Sequence, residues 1–135
     1  MKRTVLLLSM AGICAGAVVT AAGQATVQDK IYSAAQAKQG VAVYDEHCAA
    51  CHDGGTMGPE LWGEFFIENW KSQDAAAFFD RIKTTMPAES PGILSDQQVL
   101  DVVAYVLQQN GFPAGDKAIP DAKSLTGVKF VSPSK

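Results

Sequence analysis

The sequence predicts an all-α domain, and three observations carry that prediction. Residues 32–51 combine helical propensity with a partial apolar face made by Ala34, Ala35, Ala37, Val41, Ala42 and Tyr44. Ser95-Asp96-Gln97-Gln98 is a capping box, with Ser95 as N-cap, and it opens a helix that runs to Gln109 before the Asn110-Gly111 stop. Between these two stretches, Cys48-Ala49-Ala50-Cys51-His52 sets two thiols and an imidazole at three- and four-residue offsets, which a helical turn brings to one side.

That pentapeptide has the Cys-x-x-Cys-His spacing of covalent haem attachment, so one haem c per chain is expected. Cys48 and Cys51 would each form a thioether with a haem vinyl group, and a neutral His52 would ligate the iron. His47 turns about 100° from Cys48 on a helix. It is too near His52 to supply a ligand on the opposite haem face, and it is expected to be an exposed polar residue.

The candidate sixth ligand is Met86. Pro87 biases it towards an extended backbone and Pro91 stiffens the loop that follows, a suitable mount for a thioether approaching from the far side. Met57 competes, but its short connection to His52 would have to round the porphyrin edge almost fully stretched.

Taken in order, the chain opens with Lys2 and Arg3 before a mostly apolar run from Val5 to Val19. The small residues Ala21, Ala22, Gly23 and Ala25 follow, and residues 1–25 read as a secretory signal peptide. An uncleaved membrane anchor is the alternative; the run is short for a span. Cys14 lies inside this segment, and bulky Ile13 before it argues against a lipid-attachment role. Residues 26–111 form the expected domain. In the first helix Gly40 costs about 1 kcal/mol relative to alanine, which suggests the close approach of another helix, with a tolerated solvent-facing glycine as the alternative. Residues 53–59 are turn chemistry. Phe65, Phe66 and Trp70 follow in a weakly periodic piece, with Trp70 the preferred indole donor to a haem propionate. Ser72 is the expected N-cap of a helix through Asp74 to about Lys83, with Phe78, Phe79 and Ile82 buried. The broad apolar surface of Val99, Val102, Val103, Val106 and Leu107 on the last helix should pack on the first at Gly40. Residues 112–135 read as an irregular C-terminal extension that Val128, Phe130 and Val131 could pin to the body, with covering the haem, touching a partner and staying mobile all open.

With these residues placed, the chain resembles class I cytochromes c from about Ala35 to Gly111. The matching features are Gly40 and Tyr44, the haem pentapeptide, residues 58–63, Met86-Pro87, and Asp101-Val102-Val103-Ala104-Tyr105. The resemblance implies N- and C-terminal helices crossing around one covalently bound haem, with Gly40 and Tyr44 against Val102 and Tyr105. It also implies that the Pro59 carbonyl accepts a hydrogen bond from the second His52 nitrogen, orienting the ring. The chain departs from the family in Asp53, where glycine commonly follows the haem histidine, and in its long extension. Thr85 to Gly115 is similar, more narrowly, to small cytochromes c associated with quinoprotein alcohol dehydrogenases, which implies a quinoprotein (PQQ) dehydrogenase as redox partner.

The expected function is a periplasmic one-electron carrier with His52/Met86 ligation, monomeric and not itself an enzyme. It would accept electrons from a periplasmic dehydrogenase and pass them towards a terminal oxidase. After signal removal nine basic side chains stand against fourteen acidic ones. That balance speaks against nucleic acid as a partner and for a partner with a basic patch, unless Lys38, Lys71 and Lys83 form a local basic ring. The alternatives are a haem enzyme or gas sensor with a displaceable distal ligand, and a haem-free zinc or dithiol module built on Cys48 and Cys51.

Overall fold

A computed structural model describes residues 23–55 and 57–133. The export signal read in residues 1–25 lies, up to residue 22 and including Cys14, outside the described residues. Five helices follow in order: α1 (Ala34–His47), α2 (Ala49–His52), α3 (Gly63–Trp70), α4 (Ala75–Thr85) and α5 (Asp96–Gln109), with a 3-10 turn at Ala122–Leu125. Among the described residues there is no strand, and three isolated bridges join Thr26 and Asp74 to Lys129 and Ser33 to Gly115. The fold is all-α.

Helix α1 begins at Ser33, whose side chain accepts from the Gln36 amide at 3.2 Å. The single helix expected over residues 32–51 is divided at Cys48, where φ is −125° and ψ −42°. Cys48 N–H still donates to Tyr44 O at 2.8 Å, while Cys48 O accepts from Cys51 and His52 at 3.1 and 3.0 Å. One residue thus ends α1 and starts α2. Residue propensities are helical on both sides of the break and carry no trace of it.

Helix α5 forms both bonds of its capping box, Gln98 N–H to Ser95 Oγ at 3.2 Å and Ser95 N–H to Gln98 Oε1 at 2.9 Å. From Val99 to Leu107 every residue but Tyr105 is buried, so the helix must be covered on all sides. Its buried Asp101 is matched by Gln97, which donates to it at 2.7 Å. Helices α1 and α4 both pack on α5. At Gly40 the approach is so close that an added Cβ would fall 2.0 Å from Asp101 O and 2.8 Å from Tyr105 Cβ. Four residues on, the Tyr44 ring lies 5.1 Å from that of Tyr105 and 5.5 Å from that of Trp62.

Residues 112–133 lie along the body rather than away from it. Tyr32 OH donates to Phe112 O at 2.6 Å, and buried Gln36 bonds both backbone groups of Ile119. Lys129 pairs with the lead-in, receiving Val27 N–H and donating to Ala25 O. Phe130 completes a cluster with Phe66, Trp70 and Phe78, its ring 5.6 to 6.0 Å from theirs. The same segment explains why α4 is capped by Asp74 and not by Ser72, which is exposed in the preceding turn. One Asp74 oxygen accepts from Ala77 N–H and the other from Gly127 N–H, each at 3.0 Å. The capping choice is thus made with a residue far along the chain.

The helix crossing yields a first prediction. Gly40→Ala gains about 1 kcal/mol of helix propensity, but the clash is with backbone, and overpacking costs about 1–3 kcal/mol or more. A net loss of stability in chemical denaturation is expected; a stabilised variant would contradict the crossing. A second concerns Asp74, whose pKa is held below its usual value chiefly by the Gly127 N–H and then by that of Ala77. Its contribution is therefore complete above the ordinary value of 3.8 and is lost as pH falls through the lower folded-state value. Asp74→Ala should lose about 1–2 kcal/mol near neutral pH, and in acid the gap to the parent should close; a gap independent of pH would contradict this.

Candidate functional site

Cys48 and Cys51 are free thiols, half-buried and one turn apart on the short α2 segment. Burial, and then the neighbouring Cys51, push the Cys48 thiol up to about 11. It is therefore un-ionised at neutral pH, the reverse of what an activated redox dithiol needs.

His52 ends the same turn and is buried. Its Nδ1 lies 2.6 Å from Pro59 O, and since a carbonyl only accepts, Nδ1 is the donor, so that in the neutral ring the lone pair falls on Nε2. Gly58 makes this geometry accessible. Its N–H donates to Cys51 O at 2.9 Å, and a Cβ there would sit 2.9 Å from Cε1 and 3.0 Å from Nδ1 of His52.

Asp53, the departure from the family pattern, occupies an ordinary extended conformation at φ −76° and ψ 122°; the positive φ angles of this turn fall on Gly54 and Gly55. Its carboxylate accepts a 2.8 Å hydrogen bond from Tyr44 OH. Burial, and then this bond, hold the Tyr44 pKa well above its usual value. The phenol remains a neutral donor.

Two cavities meet at His52. One of about 420 Å³ is lined by His52, Leu61, Trp70, Phe78, Ile82 and Met86 among others; one of about 190 Å³ is lined by Cys51, His52, Met57, Met86 and Pro87 among others. His52, Pro59 and Met86 border both, so the two are halves of one slot. Met86 is the C-cap of α4, in an extended conformation at φ −124° and ψ 152°, and is partly buried against the core. Met57 is 71 % exposed. Trp70 lines the larger half together with the polar side chains of Asn69, Gln73 and Arg81; Trp62 stands apart, against Tyr44. His47, expected exposed, is half-buried beside Glu46 at 3.8 Å.

Three contributors were not apparent as such in the sequence. Gly58 shapes the His52 pocket by having no side chain, and Arg81 reaches the slot from a helix whose buried stripe alone drew attention. Asn110, read as a stop signal, is buried; its side chain donates to Leu61 O at 3.0 Å and accepts from Gly63 N–H at 3.1 Å, tying the loop after His52 to the end of α5. Asn110 is a C-cap by type, and only the fold reveals its second task.

The residues present suit a covalent haem on chemical grounds. Two thiols and an oriented imidazole share one turn, and the slot bordered by His52 is lined by apolar Leu61, Phe78 and Ile82 with Trp70 and Arg81 among its polar groups.

Comparison with known proteins bears on the same region. Residues 35–106 match the family model described as cytochrome c oxidase, cbb3-type, subunit III. The chain is 32 % identical over 106 residues to a thiosulfate dehydrogenase of Stutzerimonas stutzeri, a match covering 68 % of this chain and 33 % of that protein. It is 38 % identical over 85 residues to cytochrome c6 of Thermosynechococcus vestitus, covering 56 % of this chain and 72 % of the relative. With cytochrome c6 of Parathermosynechococcus lividus the identity is also 38 %, over 79 residues, 52 % of this chain and 86 % of the relative. The chain thus spans about a third of the length of the dehydrogenase it matches, and most of each cytochrome c6. No solved structure matches at comparable significance.

Gly58→Ala should press the His52 ring away from the Pro59 carbonyl. A loss of about 1–3 kcal/mol in unfolding free energy is expected, together with a displaced His52 Nδ1–H resonance; an unchanged resonance would show that the ring is positioned by something else.

Proposed function

The chain belongs to the cytochrome c family and carries one covalently bound haem c, and from that premise we propose that it is an exported carrier of single electrons, with His52 and Met86 as axial ligands. The observation that supports this most directly is the shared border of the slot: His52, Pro59 and Met86 flank both of its halves. When bound, the haem supplies an iron that takes up and gives back one electron.

The protein's own residues hold that chemistry in place. Cys48 and Cys51 anchor the group, and His52 offers Nε2 while Pro59 keeps its ring from rotating. Met86 offers its thioether from a loop braced by two prolines, and its partial burial favours it over exposed Met57. Trp70 and Arg81, which line the slot, receive the propionates. Thioether ligation and an apolar surround both favour the reduced state and so raise the potential.

Residues 1–25 direct export to the periplasm, and no helix among the described residues is long and apolar enough to cross a membrane. The proposed donor is a periplasmic dehydrogenase, on the narrower similarity of residues 85–115 a quinoprotein (PQQ) enzyme, and the proposed route leads towards a terminal oxidase. The carrier itself is proposed to be monomeric and to have no catalytic site. The activity named for the thiosulfate dehydrogenase is not carried over, because the match covers a third of that protein.

Met86→Ala should keep its haem through a denaturing gel while the midpoint potential falls by on the order of 100 mV, a fraction of the ≈ 0.8 V that axial ligands command. Met57→Ala should leave the potential in place. A shift in the second variant and none in the first would reverse the ligand assignment.

A further inference from the structure

Trp70 and Phe78 both line the larger half of the slot, their ring centroids 4.8 Å apart. Two further rings pack against both of them without lining it. Phe66 comes from α3, one turn before Trp70, and Phe130 comes from the C-terminal extension. Phe130 is 1 % exposed, and its plane stands at 81° to Phe66 and 87° to Phe78. Edge-to-face is a preferred geometry of aromatic pairs, so a tilt of Phe78 away from it loses contact energy.

The backbone that carries Phe130 is held from two directions. Val128 O accepts from the N–H of Ala75, the first residue of α4, at 2.8 Å, and Gly127 N–H donates to the Asp74 carboxylate at 3.0 Å. Lys129 N–H donates to Ala25 O at 2.8 Å, and its carbonyl accepts from Val27 N–H at 3.0 Å. The ring thus has a fixed mount, set against the helix that brings Phe78, Arg81 and Ile82 to the slot and ends at Met86. Phe130 and the three residues before it lie outside residues 35–106, the stretch that matches the family model.

We propose that Phe130 is a positioning residue for electron transfer: acting through Phe78 and Trp70, it sets the apolar wall of the slot and with it the reduction potential of the haem. The proposal rests on the assignment of this slot to the haem. A close-packed interior only partly refills the space left by a deleted ring. With that space open, Phe78 and Trp70 can tilt back and water can reach the slot. A wetter surround favours the more highly charged oxidised iron, so the potential falls. A residue that served packing alone would lower stability on truncation and leave the potential where it was.

The experiment compares the holoprotein with the series Phe130→Leu, Phe130→Val and Phe130→Ala, and with Ile119→Val and Ile119→Ala. Ile119 is 2 % exposed in the same extension, but it is bonded to Gln36 of α1 and does not belong to the aromatic cluster. Both sets should lower the midpoint of chemical denaturation. In the Phe130 series alone the midpoint potential should fall, in step with the volume removed. For Phe130→Ala the ratio of reduced to oxidised protein at a fixed applied potential should drop about threefold, which is about 28 mV at about 59 mV per tenfold for one electron. The haem methyl resonances of the oxidised protein should move in the same variants, and the visible spectrum should stay that of the parent. A potential that is flat across the Phe130 series, or one that falls as far in Ile119→Ala, would overturn the proposal. So would a fall accompanied by loss of the parent's visible spectrum, since Phe130 would then be holding the axial ligands and not the wall. An unchanged potential in Met86→Ala would overturn the ligand assignment and leave the comparison of Phe130 with Ile119 intact, so the two failures are distinguishable.

Discussion

The backbone contact between α1 and α5 at Gly40 is the constraint on which the other arrangements depend. A hydrogen in place of a side chain lets the Asp101 carbonyl come within 2.0 Å of where a Cβ would stand. Any larger residue must push the helices apart. The propensity cost of glycine, about 1 kcal/mol, is small beside the burial that the contact allows along α5, where a single leucine or valine contributes about 1.5–3 kcal/mol. The close packing of aromatic rings around Tyr44 follows from the same approach.

From that crossing, short polar links reach the haem-binding turn. Tyr44, wedged beside Tyr105, receives Cys48 N–H at its carbonyl and gives its hydroxyl to Asp53, so the first residue of the pentapeptide and the residue just after it are both tied to Tyr44. Asn110 at the other helix end holds Leu61 and Gly63, and the loop between carries the Pro59 carbonyl to His52. Each bond is worth only about 0.5–1.5 kcal/mol net. Their effect is on placement: a ring that is a ligand must present one nitrogen in one direction, and the hydrogen bond to the other nitrogen decides which.

Much of this was legible in the chain because the signals are local. The capping box of α5 sits within four residues, the pentapeptide within five, and Gly40 stands out against a run of helix formers. What escaped was decided at long range. Ser72 and Asp74 are both good N-caps, and the Gly127 amide selects the second. The break at Cys48 falls inside a run of residues that a helix accepts on both sides, with no glycine or proline to mark it. Residues 112–133 carry no period, yet Ile119, Leu125 and Phe130 are buried, because their order comes from bonds to Tyr32, Gln36 and Asp74 and not from a repeating backbone. His47 was expected to be exposed from its type, but its place at the end of α1 half-buries it.

A carrier of electrons differs from a haem enzyme in having both iron positions filled by its own side chains. The account therefore turns on Met86, which borders the slot together with His52 and has exposed Met57 as its one rival methionine among the described residues. The most direct measurement is the absorption spectrum of the oxidised, unmodified holoprotein before and after addition of cyanide. A methionine-to-iron charge-transfer band that disappears only slowly as cyanide binds is the predicted result. Absence of the band, with rapid cyanide binding, would contradict a closed His52/Met86 centre.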